Sequence, residues 1–63
     1  MTGKIKMVSN RGFGFIFRDE DHSEIFFHRS GCDDFEGLQR GDHVEYEEKS
    51  SPKGPVAYNV RVI

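Results

Sequence analysis

Phenylalanine recurs at every second position across Arg11-Gly12-Phe13-Gly14-Phe15-Ile16-Phe17. Side chains two residues apart share a face in an extended strand. The segment therefore reads as a strand with Phe13, Phe15 and Phe17 in a row. The opposite face carries Gly12, Gly14, Ile16 and then Arg18. Large aromatics are usually buried, so one reading makes the row part of the core. The other leaves the rings outside, beside Arg11. Rings to stack on, with cations near the phosphates, are what unpaired nucleic-acid bases need.

The remainder of the chain also reads as short strands separated by turn residues. Gly3 to Val8, Gly12 to Arg18, Glu24 to Arg29, His43 to Glu48 and Val56 to Ile63 are the five expected strands. Ser9-Asn10 and Asp19 to Ser23 are turns, and Lys49 to Pro55 is a Ser/Pro/Gly loop. Ser30 to Gly41 is a long connection with room for one helical turn near Ser30 to Cys32. No window of helical period is long enough to stand as a helix. Five antiparallel strands in 63 residues must pair with another chain or close on themselves. Closure removes the exposed edges. The expected fold is all-β, a five-stranded antiparallel Greek-key barrel of the OB type. Strands at both ends make the chain read as one complete module, a single domain over residues 1–63.

Counting the inward positions decides between the two readings of the Phe row. Glu24 alternates with Ile25, and glutamate is rarely buried unpaired, so Ile25 and Phe27 point inward and Phe26 and His28 outward. By the same alternation Val44 and Tyr46 face in, against Glu45 and Glu47. A small barrel interior takes roughly eight to ten side chains. Ile5, Val8, Ile16, Ile25, Phe27, Leu38, Val44, Tyr46, Ala57 and Val60 supply them. Phe13, Phe15, Phe17 and Phe26 are then left over, and surplus aromatics on adjacent strands mark a binding surface. Placing both Ile5 and Val8 in the core requires a bulge or strong twist near Lys6-Met7.

The formal charge of −2 is not that of a duplex-binding basic domain. Its distribution is uneven: residues 1–18 hold +4 and the rest −6. The cationic third coincides with the Phe row. Cys32 is the single cysteine, which excludes an intrachain disulfide and a paired-cysteine zinc site. It reads as a semi-buried filler, and a lone thiol suits a reducing cytoplasm. No apolar run is long enough to span a membrane, and the N-terminus has no hydrophobic signal region. No Gly-x-x-x-x-Gly-Lys phosphate loop is present. The three histidines lack the spacing of a metal set or a nucleophile–base pair. No catalytic residue, metal or cofactor is expected.

Arg11-Gly12-Phe13-Gly14-Phe15-Ile16 resembles the first ribonucleoprotein motif, Lys-Gly-Phe-Gly-Phe-Ile, of the cold-shock domain family. Ile25-Phe26-Phe27-His28 resembles the second, Val-Phe-Val-His. Gly54-Pro55-Val56-Ala57-Tyr58-Asn59-Val60 is similar to that family's closing Gly-Pro-x-Ala-x-Asn-Val. Gly3-Lys4-Ile5-Lys6 is similar to its opening, and Leu38-x-x-Gly41-x-x-Val44 to its entry into strand four. The resemblance implies an OB-type barrel that binds single-stranded RNA or DNA, as an RNA chaperone or a regulator of transcription or translation. It implies stacking surfaces at Phe13, Phe15, Phe26 and His28, and a stacking clamp at Phe35. It implies phosphate or base-edge contacts at Lys6, Arg11 and Lys53.

Three departures from the pattern matter. Met7 stands where the family has a stacking Trp, in a segment one residue shorter. Arg29 replaces the aromatic that usually follows the second motif's His. Phe17 occupies a position that is commonly polar. A stacked base is worth about 1–3 kcal/mol, so losing the Trp weakens one subsite roughly five- to a hundred-fold. Met7 still offers a polarizable thioether, and Arg29 a planar guanidinium. Met7, Phe17 and Arg29 therefore join the expected site. The expected partner is single-stranded RNA or DNA, captured passively by a cytoplasmic monomer with no membrane contact. Two other classes fit parts of the sequence. A protein-interaction barrel suits Met7, Arg29 and the net negative charge. A small nuclease using His28 with an Asp or Glu predicts slow RNA cleavage.

Overall fold

The computed structural model describes residues 1–63. Its five strands are β1 (Thr2–Ser9), β2 (Phe13–Arg18), β3 (Glu24–His28), β4 (His43–Ser51) and β5 (Gly54–Val62). They close into a barrel in the order β1-β2-β3-β5-β4, with β4 returning to β1. Four of the pairings are antiparallel, and β3 with β5 is parallel. An odd number of strands cannot alternate direction all the way round a closed sheet, so one parallel seam is unavoidable. The expected OB-type barrel is the fold observed, with β3–β5 as its one parallel pairing.

The interior is a single cluster of Ile5, Ile16, Ile25, Phe27, Leu38, Val44, Tyr46, Ala57 and Val60. These are nine of the ten residues that alternation points inward. The tenth, Val8, is only partly buried and packs against the edge of the cluster. The β1–β2 register explains it. Ile5 pairs with Ile16 but Met7 with Phe15, so a bulge falls between them, as the apolar pattern of β1 requires. The bulge restores the period, and Val8 then pairs with Gly14 near the barrel rim.

Gly14 faces inward in β2 because nothing larger fits. A Cβ there would lie 2.6 Å from Phe27 Cζ and 2.6 Å from the Met7 carbonyl oxygen. The ring of Phe27 fills that space, so the largest apolar core side chain is seated against a bare backbone. Gly12, at φ +94, closes the β1–β2 turn with its N–H on the Ser9 carbonyl at 3.1 Å.

The β4–β5 connection departs from expectation. Lys49 to Pro55 reads as an open loop, yet the ladder runs on through Lys49↔Val56 and Ser50↔Pro55 to Ser51↔Gly54. Only Pro52 and Lys53 lie outside it. Ser51 Oγ donates to the Gly54 carbonyl at 2.6 Å, and Gly54 takes φ +116. That turn chemistry lets a Pro/Ser/Gly-rich segment form a tight hairpin. The long connection after β3 contains two short 3₁₀ turns, Arg29–Gly31 and Phe35–Gly37. Asp34 caps the second, its carboxylate accepting the Gly37 N–H at 3.2 Å. Cys32, between the turns, is half-buried and bridges to Val60. Burial pushes its thiol up from the ordinary value, opposed by the hydrogen bond from the Asp34 N–H and aided by the Asp33 charge.

Arg18 and Glu48 both point inward at one end of the barrel, two residues beyond Ile16 and Tyr46. They meet at 3.2 Å with their side chains mostly covered. Of the four cations in the first third of the chain, Arg18 is thus turned away from the Phe row.

Candidate nucleic-acid interface

The outer faces of β1, β2 and β3 form one continuous surface. The ladders set its rows: Lys4–Phe17–Glu24, Met7–Phe15–Phe26 and Ser9–Phe13–His28. Cross-strand neighbours on one face lie about 4.5–5.5 Å apart, so side chains within a row touch. Phe13 stacks against Phe26 with centroids 5.9 Å apart and planes at 24°. Phe15 meets Phe26 edge-on at 5.8 Å and Phe13 at 6.3 Å. The three rings are half-buried, largely by one another, and none belongs to the core cluster. Such offset and edge contacts hold the rings in place while leaving their outer faces open.

His28 ends β3 beside Phe13. Its Nδ1 accepts the Ser30 N–H at 3.1 Å and lies 2.9 Å from Ser30 Oγ. Accepting at Nδ1 places the neutral ring's proton on Nε2, which is left free to donate to a base edge. Arg29 follows at once. Its N–H donates to the Gly12 carbonyl at 2.9 Å, and a Cβ on Gly12 would lie 3.1 Å from Arg29 Cδ. The missing side chain at Gly12 thus gives the Arg29 stem its bed across the β1–β2 turn.

Phe35 is placed by the second 3₁₀ turn, with its ring 6.1 Å from Phe27 at 60°. One side of the ring rests on the core. The other lines a groove of about 420 Å³ with Val8, Ser9, Asn10, Gly12, Arg29, Glu36 and Leu38. Arg29 and Phe35 therefore face one space at the Phe13 end of the surface. Arg11 lies in the adjoining turn, its N–H on Ser9 Oγ at 3.1 Å.

Phe17, Lys6 and Lys53 lie toward the other end. Phe17 is exposed and carries the Lys6 ammonium 5.6 Å from its centroid. Lys6 Nζ also pairs with Glu24 Oε1 at 2.8 Å. Both partners are well exposed, so the pair is screened and worth little. Lys53 sits in the β4–β5 turn. From the parallel register Phe26↔Val56, that turn lies beyond the Glu24 end of β3. Cations thus flank the rings at both ends, and Arg11, Arg29 and Lys53 make no ion pair within the protein.

The structure brings Met7, Phe13, Phe15, Phe26 and His28 together, with Arg11, Arg29 and Phe35 at one margin and Phe17 and Lys6 at the other. Lys53 stands apart on the hairpin. Sequence reasoning overlooked Val56 and Tyr58, which carry the same outer face from β3 onto β5, and Lys49 behind them on β4. Their signal was alternation with Ala57, which points inward. It is weak because Asn59, at φ 52, breaks the period before Val60.

A closed five-stranded OB barrel with an aromatic outer face on β1–β3 is the architecture of a nucleic-acid-binding module. The family model described as the "Cold-shock" DNA-binding domain matches residues 1–63. The chain is 43% identical over 65 residues to the cold shock-like protein CspA of Stigmatella aurantiaca, covering 98% of this chain and 96% of that one. It is 39% identical over 66 residues to a cold shock-like protein of Thermotoga maritima, covering 100% and 98%. A cold shock-like protein of Aquifex aeolicus is 38% identical over 64 residues, covering 97% and 91%. The chain belongs to the cold-shock domain family, whose members are generally nucleic-acid binding.

Proposed function

We propose that this protein binds unpaired RNA or DNA with low sequence specificity and acts as an RNA chaperone or a regulator of transcription or translation. It works as a cytoplasmic monomer without cofactor or catalysis. One observation carries the reading: the core is complete without Phe13, Phe15 and Phe26, which lie together on the outer face. Bases of an open strand stack on these rings and on His28 and Met7, with Phe17 and Phe35 at the two margins. Phosphates run near Arg11, Arg29, Lys53 and Lys6, the last after exchange of its Glu24 partner. Stacking reads the π-face that every base has, so selectivity is weak. Binding open strands in preference to duplex shifts the equilibrium toward melted structure and needs no nucleotide fuel.

The test is titration with a short unstructured pyrimidine oligonucleotide at low salt, following the aromatic resonances by NMR. Shifts are expected at Phe13, Phe15, Phe26 and His28, with the core resonances of Phe27 and Tyr46 nearly still. An unmoved spectrum would refute the reading and favour a protein partner for this face. RNA is expected to stay intact through the titration.

A further inference from the structure

We propose, building on the single-strand reading, that Tyr58 is an additional base-stacking position on β5, with Lys49 supplying its phosphate contact. The family's closing pattern, Gly-Pro-x-Ala-x-Asn-Val, fixes no residue at position 58.

Three observations place it. Ala57 is buried at 1% exposure and its neighbour Tyr58 therefore points outward. The parallel register Phe26↔Val56 and Phe27↔Ala57, continued by one residue, sets His28 beside Tyr58. Adjacent strands are about 4.8 Å apart, so Tyr58 extends the Phe13–His28 row by one more ring. Third, the first 3₁₀ turn leaves space for it. A Cβ on Gly31 would lie 3.3 Å from Tyr58 Cα and 3.4 Å from Tyr58 Cβ, so any larger residue at 31 would crowd the tyrosine.

The charge around the ring suits a nucleotide. Lys49 Nζ stands 5.3 Å from the Tyr58 centroid. Lys49 is exposed and forms no ion pair, so its ammonium can swing from the ring to a phosphate while a base takes its place. An exposed cation–π contact is weak enough for that exchange. Glu47 lies directly across from Tyr58, and Asn59 Nδ2 ties its Oε2 at 2.7 Å. Arg29 and His28 lie on the other side.

Tyrosine fluorescence reads this directly. The chain has no tryptophan and two tyrosines, and Tyr46 is buried at 1% exposure. In a Tyr46→Phe protein Tyr58 is the sole emitter. Titration with an oligothymidylate of about eight nucleotides, within the span of one OB fold, is expected to quench it. Tyr58→Ala is expected to weaken binding of that oligonucleotide about 5- to 30-fold, the lower part of the range for one stacked base, because the ring gives up Lys49. Tyr58→Phe, which keeps the ring, recovers most of the loss. Lys49→Gln lowers the salt slope by about one phosphate contact.

The outcomes separate the two proposals. If Phe15→Ala weakens binding while Tyr58→Ala does not, and Tyr58 emission is unquenched, the Tyr58 position is refuted and the platform stands. If the unaltered protein does not bind the oligonucleotide at all, both fall. Should Tyr58→Ala fail to fold, quenching in the Tyr46→Phe protein still decides.

Discussion

Replacing Phe15 by alanine separates binding from folding, because the ring sits outside the core but inside the aromatic cluster. A stacked base lost from the surface costs about 1–3 kcal/mol, so Kd rises about 5- to 150-fold. The folding cost is not zero. Phe15 meets Phe13 and Phe26 edge-on, at 6.3 and 5.8 Å, and each such aromatic pair is worth about 0.5–1.5 kcal/mol. Half-buried as it is, the side chain contributes about 1–2 kcal/mol, which lowers Tm by about 4–16 °C in a domain of this size. A 63-residue chain has about 3–9 kcal/mol of stability in total. Phe15→Ala therefore stays folded. Phe27→Ala, which empties the fully buried ring site against Gly14, costs about 3–5 kcal/mol, from about a third of that total to all of it. The assay is paired: oligonucleotide titration for binding, and thermal or urea unfolding for stability, on both variants. Unfolding of Phe15→Ala as severe as that of Phe27→Ala would refute the division between face and core. Unchanged affinity would refute the stacking role.

Gly14→Ala is expected to destabilise by at least the about 1–3 kcal/mol typical of overpacking, because the new methyl meets the Phe27 ring and the Met7 carbonyl at once; urea unfolding measures it. Stability is expected to fall in acid. Hydrogen bonds from Thr2 and His43 hold the Asp19 carboxyl below its ordinary value of 3.8, those from Ser23 do the same for Asp21, and Arg61 lowers Glu45 from 4.5. The unfolded chain then binds more protons than the native one, so this stabilisation is complete above the ordinary carboxylate range and disappears as pH drops through the lowered native values. Thermal unfolding from neutrality down to about pH 2 checks the sign, and a flat profile below pH 4 would contradict it. Affinity is expected to fall only gently with salt. Lys6 is engaged by Glu24 and Arg18 by Glu48, which leaves Arg11, Arg29, Lys53 and Lys49 as the unpaired cations placed near the strand and a log–log slope of about −3 for single-stranded ligands.

Much of the architecture was legible because the inward positions are apolar and their neighbours charged. Glu24-Ile25-Phe26-Phe27-His28 and His43-Val44-Glu45-Tyr46-Glu47 each assign a face by alternation alone. Even the β1 bulge was legible, since Ile5 and Val8 cannot both turn inward in a regular strand. Local rules failed where pairing between strands decided the outcome. The β4–β5 hairpin extends through Ser50 and Ser51 because Pro55 and Gly54 pair with them, which the turn-rich composition of Lys49 to Pro55 does not announce. Lys6 counts as a free cation until Glu24, eighteen residues away, is brought alongside.

The linear order of residues was enough to establish a small all-β barrel, its interior and a set of surplus aromatic rings, because period-two alternation records burial one strand at a time. Closure alone decided that β5 lies parallel to β3 and carries Tyr58 to the end of the aromatic row. It also decided which cations stay free, since Arg18 and Lys6 meet their acids only when strands distant in the chain become neighbours in space.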